Sequence, residues 1–351
     1  MPDSQPPIEV TPELSGADSE SRRRIDRRTA LRAIGGAGAL LAVGVALPGS
    51  SAALVPKPLI DQATWGAYAS REPWPDCQAH FDLEHKLGTR LPVMSWFLTW
   101  SISWPKAGGQ QAAAGRYDLH IAWQPELDDD TPILFADIVA GRHDDYLTRF
   151  FTAAKNHPGQ VVIRFAHEMN GDGYPWSAAY RGSGGKCLRT PAEYVRGWRY
   201  VVNFQRRIGG SNVKFAWCIM TNDKGGIAAE EYFPGYEYVD ILSMDVYNGY
   251  GGGWQEPGAA ISKTYNRLTA LSRSRPVWIS ELGCREPSKT EPSGAPPDPD
   301  HSKADWLTKL FALTRFPRLD TVVFFNAERA FDWRLDSTPE ALAVCRKAFA
   351  G

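Results

Sequence analysis

A chain of 351 residues with 39 Lys and Arg against 40 Asp and Glu has a formal net charge of −1. No global field therefore favours nucleic acid, and an anionic membrane has little to attract. The 43% hydrophobic fraction supplies a sizeable core, and the length fits either two domains or one barrel of about 250–300 residues.

The N-terminus reads as an address. Residues 1–20 are polar, and Ser21-Arg22-Arg23-Arg24 follows. The next run, Asp26-Arg27-Arg28-Thr29-Ala30-Leu31-Arg32, looks like a twin-arginine export signal: paired Arg, an apolar residue, then a basic one. Ala33 to Leu47 is uncharged, rich in Gly and Ala and short for a membrane span, as a signal core should be. Ser51-Ala52-Ala53 offers small residues for cleavage. The expected organisation is a tail plus signal over 1–53, a linker over 54–61 and one catalytic domain over 62–351. The mature protein is expected to be secreted or held in the cell envelope, off the membrane and monomeric. An uncleaved anchor is the alternative, because Ala33 to Val55 just spans a bilayer; nothing later is apolar enough to do so.

Beyond Pro58 short apolar runs alternate with amphipathic stretches, the pattern of βαβ units and a parallel sheet. Strands are predicted near 63–68, 92–100, 119–124, 161–167, 213–220, 239–246, 276–280 and 320–326. The fourth, Val161-Val162-Ile163-Arg164-Phe165, is β-branched and nearly continuous, as a strand buried on both faces should be. Asp144 to Asn156 carries Leu147, Phe150, Phe151 and Ala154 at helical spacing and stops before Pro158. Thr190-Pro191-Ala192-Glu193 offers an N-cap, Pro at the first helical position and Glu at the third, ahead of an apolar face through Val195, Trp198, Val202 and Ile208 that ends at Gly209. Ser302 caps a helix expected to run to Pro317, and Thr338-Pro339-Glu340 opens a terminal helix. Eight strands with intervening helices make the fold class α/β, a (β/α)₈ TIM barrel in a single catalytic domain; an open doubly wound sheet is the competitor. The stretch Glu286 to Pro299, rich in Pro, Ser and charge, directly follows strand seven and so falls on the C-terminal rim, where barrel active sites lie.

The five Cys, at 77, 187, 218, 284 and 345, leave at least one thiol unpaired within the chain. Cys77 and Cys345 fall on the first and last helices of a barrel, which are neighbours, and are the suggested pair. No Cys or His spacing implies a metal, and no cofactor is expected. His167-Glu168 lacks the second His of a zincin, since position 171 is Gly. Gly249-Tyr250-Gly251-Gly252-Gly253 lacks the Lys and Ser/Thr of a P-loop and is better explained as a rim loop.

Two carboxylates stand out by position. Glu168 follows Arg164-Phe165-Ala166-His167 at the end of strand four, and Glu281 follows Val277-Trp278-Ile279-Ser280 at the end of strand seven. In a barrel both reach one mouth, and the desolvation cost of a carboxylate demands a role or a partner there. Glycosidic hydrolysis needs such a pair: one carboxyl protonated to serve the leaving oxygen, the other ionised to attack the anomeric carbon, with environments that push the two pKa values apart. A separation of about 5–5.5 Å gives retention and about 6.5–9.5 Å gives inversion. The 13 Trp, 13 Tyr and 15 Phe serve a large core first, but aromatic faces also suit the apolar C–H patches of sugar rings.

Several segments then resemble one family. Arg164-Phe165-Ala166-His167-Glu168-Met169-Asn170-Gly171 with Tyr174-Pro175-Trp176 is similar to the acid/base segment of glycoside hydrolase family 26, and Pro276-Val277-Trp278-Ile279-Ser280-Glu281-Leu282-Gly283 to its nucleophile strand. Ala136-Asp137-Ile138 with Asp144-Asp145-Tyr146, Tyr232-Phe233-Pro234-Gly235, Asp245-Val246-Tyr247-Asn248, Phe325-Asn326 and Asp332-Trp333-Arg334 extend the likeness over roughly residues 63–349. The resemblance implies a retaining endo-β-glycanase acting on β-1,4-mannan or a related β-glucan, with mixed-linkage glucan or β-1,3-xylan as other specificities. A carbohydrate-binding pseudoenzyme on the same barrel is a further alternative. It implies Glu168 as acid/base and Glu281 as nucleophile, Arg164 and His167 orienting the end of strand four, and Tyr247 hydrogen-bonding the nucleophile. Trp123, Trp176 and Trp333 become candidate sugar platforms, although Trp123 also suits the core; Asn326 either contacts sugar hydroxyls or finishes its strand. The family often has a Trp soon after its Asn-Gly, where this chain has Asp172-Gly173, which leaves the sugar open.

Overall fold

The computed structural model describes residues 56–70, 73, 76–181, 189–249, 253–287, 298, 300–329 and 331–351. The expected signal, Cys187, residues 250–252 of the Gly-rich rim loop and most of the 286–299 rim segment lie outside the described residues. None of the described helices is long and apolar enough to cross a membrane.

Helix α1 (Leu59–Gln62) leads into strand β1 (Thr64–Ala69), and strands and helices then alternate. They are α2 (Gln78–Leu87), β2 (Val93–Thr99), α3 (Lys106–Ala114), β3 (Asp118–Gln124), α4 (Phe135–Val139), α5 (Asp144–Asn156), β4 (Val161–Phe165), α6 (Pro191–Ile208), β5 (Val213–Ile219), β6 (Ile241–Asn248), α7 (Pro257–Leu271), β7 (Val277–Cys284), α8 (Lys303–Phe311), β8 (Leu319–Asn326) and α9 (Pro339–Ala350). The strands pair in chain order, all parallel, and β1 closes on β8 from Thr64↔Thr321 to Ala69↔Asn326. This is the predicted (β/α)₈ barrel, with every strand ending at the same rim.

Local chemistry explains the elements. Thr190 closes a full capping box on α6: its hydroxyl accepts from Glu193 N at 3.2 Å while its own N–H donates to Glu193 Oε2 at 2.8 Å. Ser302 and Thr338 cap α8 and α9 in the same way, accepting from Asp305 N and Ala341 N. The outward faces of the strands and the inward faces of the helices form one continuous core that includes Trp96, Trp123, Phe150, Phe165, Trp198, Trp217 and Trp306. The lumen is filled in layers, as barrel interiors are. Val162, Ala216, Ile241 and Trp278 form an apolar base. Above it lies a polar layer of fully buried His120, Ser243 and Ser280 with Ser95, and above that stand Arg164, Asp245 and Glu281.

Four expectations need correction. β7 does not stop at residue 280 but continues to Cys284, so Glu281 is inside the strand. α8 ends at Phe311, well before Pro317. The linker is partly helical, because Leu59 is apolar enough to bury α1 against α8. Cys77 and Cys345 do sit on packed neighbours, α2 and α9, but as buried thiols and not a disulfide; the Cys77 Sγ donates instead to Gly108 O at 3.5 Å.

Candidate active site

The centre of the mouth is Arg164. It lies on β4 beside Ala122 of β3 and is fully buried. Its Nη1 donates to Asp245 Oδ2 at 2.6 Å, and its Nη2 donates to Glu281 Oε1. A buried guanidinium needs such partners, and a fork of donors can hold two carboxylates in fixed relation. The second oxygen of Glu281 accepts from the Tyr247 hydroxyl. Burial and the neighbouring carboxylates push the Tyr247 phenol well above its usual range, so it remains a donor. Tyr247 can lie flat here because residue 283 is Gly: a Cβ there would come within 2.5 Å of the Tyr247 ring and 2.9 Å of Trp333.

Glu168 reaches the same place by strained backbone. Past the end of β4, Ala166 has φ +43° and Glu168 φ +51°, a left-handed region that side chains seldom adopt. Hydrogen bonds over-determine it: Ala166 N donates to Trp123 O and Glu168 N to Cys218 O, both at 3.0 Å, and Gly171 N returns to Glu168 O at 2.8 Å. The residue as a whole is half-buried, and its carboxyl stands in a crowded, carboxylate-rich mouth. Burial first, and then the charge of Glu281, push it up to about 7, with Arg164 opposing. Asp245 is raised by burial and by both glutamates, again against the pull of Arg164. One guanidinium among three carboxyls leaves a proton to be held, and Glu168, which has no ion pair to Arg164, is placed to hold it.

Rings wall the mouth. Tyr68 packs on Phe97 and Phe325 at 4.9 and 5.0 Å, and Phe325 continues to Tyr247 at 5.9 Å. On the other side His167 meets Tyr174 at 4.8 Å, and Tyr174 stacks on Trp176 at 4.5 Å. His167 is fully buried, and neither ring nitrogen has a partner. Burial and Arg164 hold it well below its usual pKa, so it is a neutral imidazole.

Arg164, His167, Glu168, Tyr247 and Glu281 are therefore brought together as expected, but the three Trp platforms and Asn326 are not. Trp123 points outward from β3, fully buried, stacked on Phe150 at 4.2 Å and on Trp100 at 4.8 Å. Trp176 is buried although it lies in a loop, its Nε1 donating to His167 O at 2.6 Å; it braces the acid/base segment. Trp333 is 6% exposed and sets its face against the Tyr247 edge at 4.9 Å, so it supports Tyr247 and offers no open platform. Asn326 finishes its strand: its Oδ1 accepts from Leu335 N at 2.7 Å, on the face of β8 opposite Phe325. Sequence reasoning passed over Asp245, Tyr68, Phe97, Phe325 and Tyr174 as site residues. The strand positions would have found most of them, since Tyr68, Phe97, Asp245 and Phe325 share the lumen face at the C-terminal ends of β1, β2, β6 and β8.

Known proteins agree with this geometry. The model of Glycosyl hydrolase family 26 matches residues 146–283, the segment that holds both glutamates. Endoglucanase H of Acetivibrio thermocellus is 29% identical over 271 residues, 74% of this chain and 28% of that protein. Mannan endo-1,4-beta-mannosidase A and B of Caldalkalibacillus mannanilyticus is 26% identical over 132 residues, 37% of this chain and 23% of that protein. The chain thus spans about a quarter of the length of the curated relatives it matches. Among solved structures, a modular endo-beta-1,4-mannanase from Cellulomonas fimi superposes with a TM-score of 0.59 at 18% identity, covering 83% of this chain and 71% of that one. A beta-mannanase from Bacteroides ovatus gives 0.56 at 17%, covering 82% and 88%. With the barrel and the paired glutamates in hand, the chain is similar to glycosyl hydrolase family 26 over the segment that carries both glutamates, and it shares the barrel fold of solved family 26 mannanases.

Proposed function

We propose that the protein is an exported, retaining endo-β-glycanase that cleaves β-1,4-mannan or a related β-glucan by double displacement. The observation that carries this reading is the division of labour around Arg164: Glu281 has both oxygens engaged by donors, while Glu168 is raised to about 7 and can hold a proton. In the first step the Glu168 proton passes to the glycosidic oxygen as the C–O bond breaks. A Glu281 oxygen meanwhile attacks the anomeric carbon from the opposite face and forms an ester. In the second, Glu168, now ionised, takes a proton from water, which attacks the same carbon and releases Glu281. Arg164 and Tyr247 keep the Glu281 carboxylate aimed throughout.

The names of the relatives, an endoglucanase and a mannan endo-1,4-β-mannosidase, support a β-1,4-linked glycan as substrate. The twin-arginine run supports export, and a soluble monomer acting on polysaccharide outside the cytoplasm is the simplest accompanying state. The test is hydrolysis of mannan, galactomannan, lichenan, laminarin and β-1,3-xylan by the mature protein and by Glu281→Ala. Activity on one glycan, lost in the variant and releasing product of unchanged anomeric configuration, supports the reading. A folded wild type inactive on all five refutes it.

A further inference from the structure

Between Ile279 and Leu282, β7 carries one residue more than the strands on either side. Towards β6, Met244 pairs with Ile279, but Asp245 pairs with Glu281. Towards β8, Val322 pairs with Ile279 and Phe324 with Leu282, so Ser280 and Glu281 together oppose the single Val323. Ser280 is the extra residue on both sides, a β-bulge placed directly before Glu281, and such bulges re-aim side chains. The side-chain directions follow. Trp278 faces the lumen and Ile279 the helices; Ser280 and Glu281 then both face the lumen, and Leu282 returns to the helix side.

The bulged residue has no register partner on either neighbouring strand, but its side chain is held. His120, fully buried on β3, reaches across the lumen with Nε2 3.1 Å from Ser280 Oγ; its Nδ1 lies 2.9 Å from Ser95 Oγ on β2. Burial and the Arg164 charge above it keep the imidazole neutral, well below its usual pKa. A neutral ring has one donor and one acceptor, so the two hydroxyls complete a directed chain from β2 through β3 to β7. The ring also rests 5.9 Å from Trp278, which limits its movement.

We propose that His120 is a positioning residue for Glu281: by holding the Oγ of bulged Ser280, it fixes the backbone step that aims the Glu281 carboxylate between Arg164 and Tyr247. The proposal rests on the reading of Glu281 as nucleophile. Losing the clamp relaxes that step by a fraction of an ångström, enough to reduce chemistry while leaving sugar binding intact.

The experiment compares full-length wild type with Ser280→Ala, Ser280→Thr, His120→Phe and the Ala/Phe double variant. Thermal unfolding establishes that each is folded, and kcat and KM are measured on the glycan that wild type cleaves. Ser280→Ala and His120→Phe are each expected to lower kcat about 10- to 100-fold with KM within about twofold of wild type, as misplaced reacting groups do. Ser280→Thr keeps the hydroxyl and most of the activity. The double variant is no worse than the worse single one, because both remove one interaction. Wild-type kcat in Ser280→Ala, or a double variant with the product of the two losses, overturns the proposal. If His120→Phe does not fold, the Ala and Thr variants at 280 decide. If wild type cleaves no glycan, the glycanase reading has failed, and crystal structures of wild type and Ser280→Ala decide the clamp. A Glu281 carboxylate displaced from Arg164 upholds it, and an unmoved one overturns it.

Discussion

Replacing Glu168 by Gln is expected to stabilise the fold at alkaline pH while abolishing its chemistry. The folded protein raises this carboxyl from 4.5 to about 7, chiefly by burial and then by the charge of Glu281. The folded state therefore holds the proton more tightly than the unfolded chain does. The contribution of protonated Glu168 is fully present below about pH 4.5, is lost as pH rises towards 7, and is absent above it. A difference of about 2.5 at 1.36 kcal/mol per pKa unit makes the ionised carboxylate a burden of about 3 kcal/mol. Gln keeps the shape and never ionises. It should match wild type at pH 4.5 and exceed it by up to about 3 kcal/mol at pH 8, or about 5 °C in Tm for a domain of this size. Urea or thermal unfolding of both proteins at half-unit steps from pH 4.5 to 8.5 measures the difference. A gap that is constant with pH, or that closes above pH 7, would refute the placement of the proton on Glu168.

Arg164→Met strips Asp245 and Glu281 of their common partner and leaves carboxylates buried beside each other, so a loss of about 3–5 kcal/mol is expected in urea unfolding at pH 7; a variant as stable as wild type would contradict the ion-pair assignment. Tyr247→Phe removes one donor from Glu281 Oε2 and should lower kcat by about 10²-fold or more, by analogy with a lost charge-stabilising donor, with little change in Tm. Trp123→Ala is expected to cost about 3–5 kcal/mol of stability without raising KM in the surviving folded fraction; a rise in KM at unchanged Tm would restore it as a sugar platform.

The barrel was legible because its strands are short, β-branched and buried on both faces, and its helices carry strong caps such as the Thr190–Glu193 box. The glutamates were legible for a different reason: carboxylates at strand ends are costly unless used. Trp176 and Trp333 were read as sugar platforms because position in a loop was taken as exposure, whereas Trp123, on its strand, was open to the core reading from the start. Trp176 sits in a loop yet is 2% exposed, since the loop folds back and its indole N–H caps the His167 carbonyl. Asp245 escaped notice because an acidic residue inside a strand reads as an irregularity until its cationic partner is known; Arg164, 81 positions away in sequence, supplies that partner only in three dimensions.

The bulge was not legible at all. Val277-Trp278-Ile279-Ser280-Glu281 contains no Gly or Pro to mark it, and strict alternation would place Ser280 in the lumen and Glu281 among the helices. An ionised Glu281 on the helix side would meet the apolar core that receives Ile279 and Leu282. Burying it there without a partner would cost several kcal/mol or more. Inserting one residue instead turns the carboxylate to Arg164 and Tyr247 and returns Leu282 to the core. The polar cost of the extra inward residue is met by a hydroxyl small enough to sit under the guanidinium and by an imidazole already in the layer below. The register break is thus the feature that lets one strand serve both the hydrophobic shell and the reacting mouth.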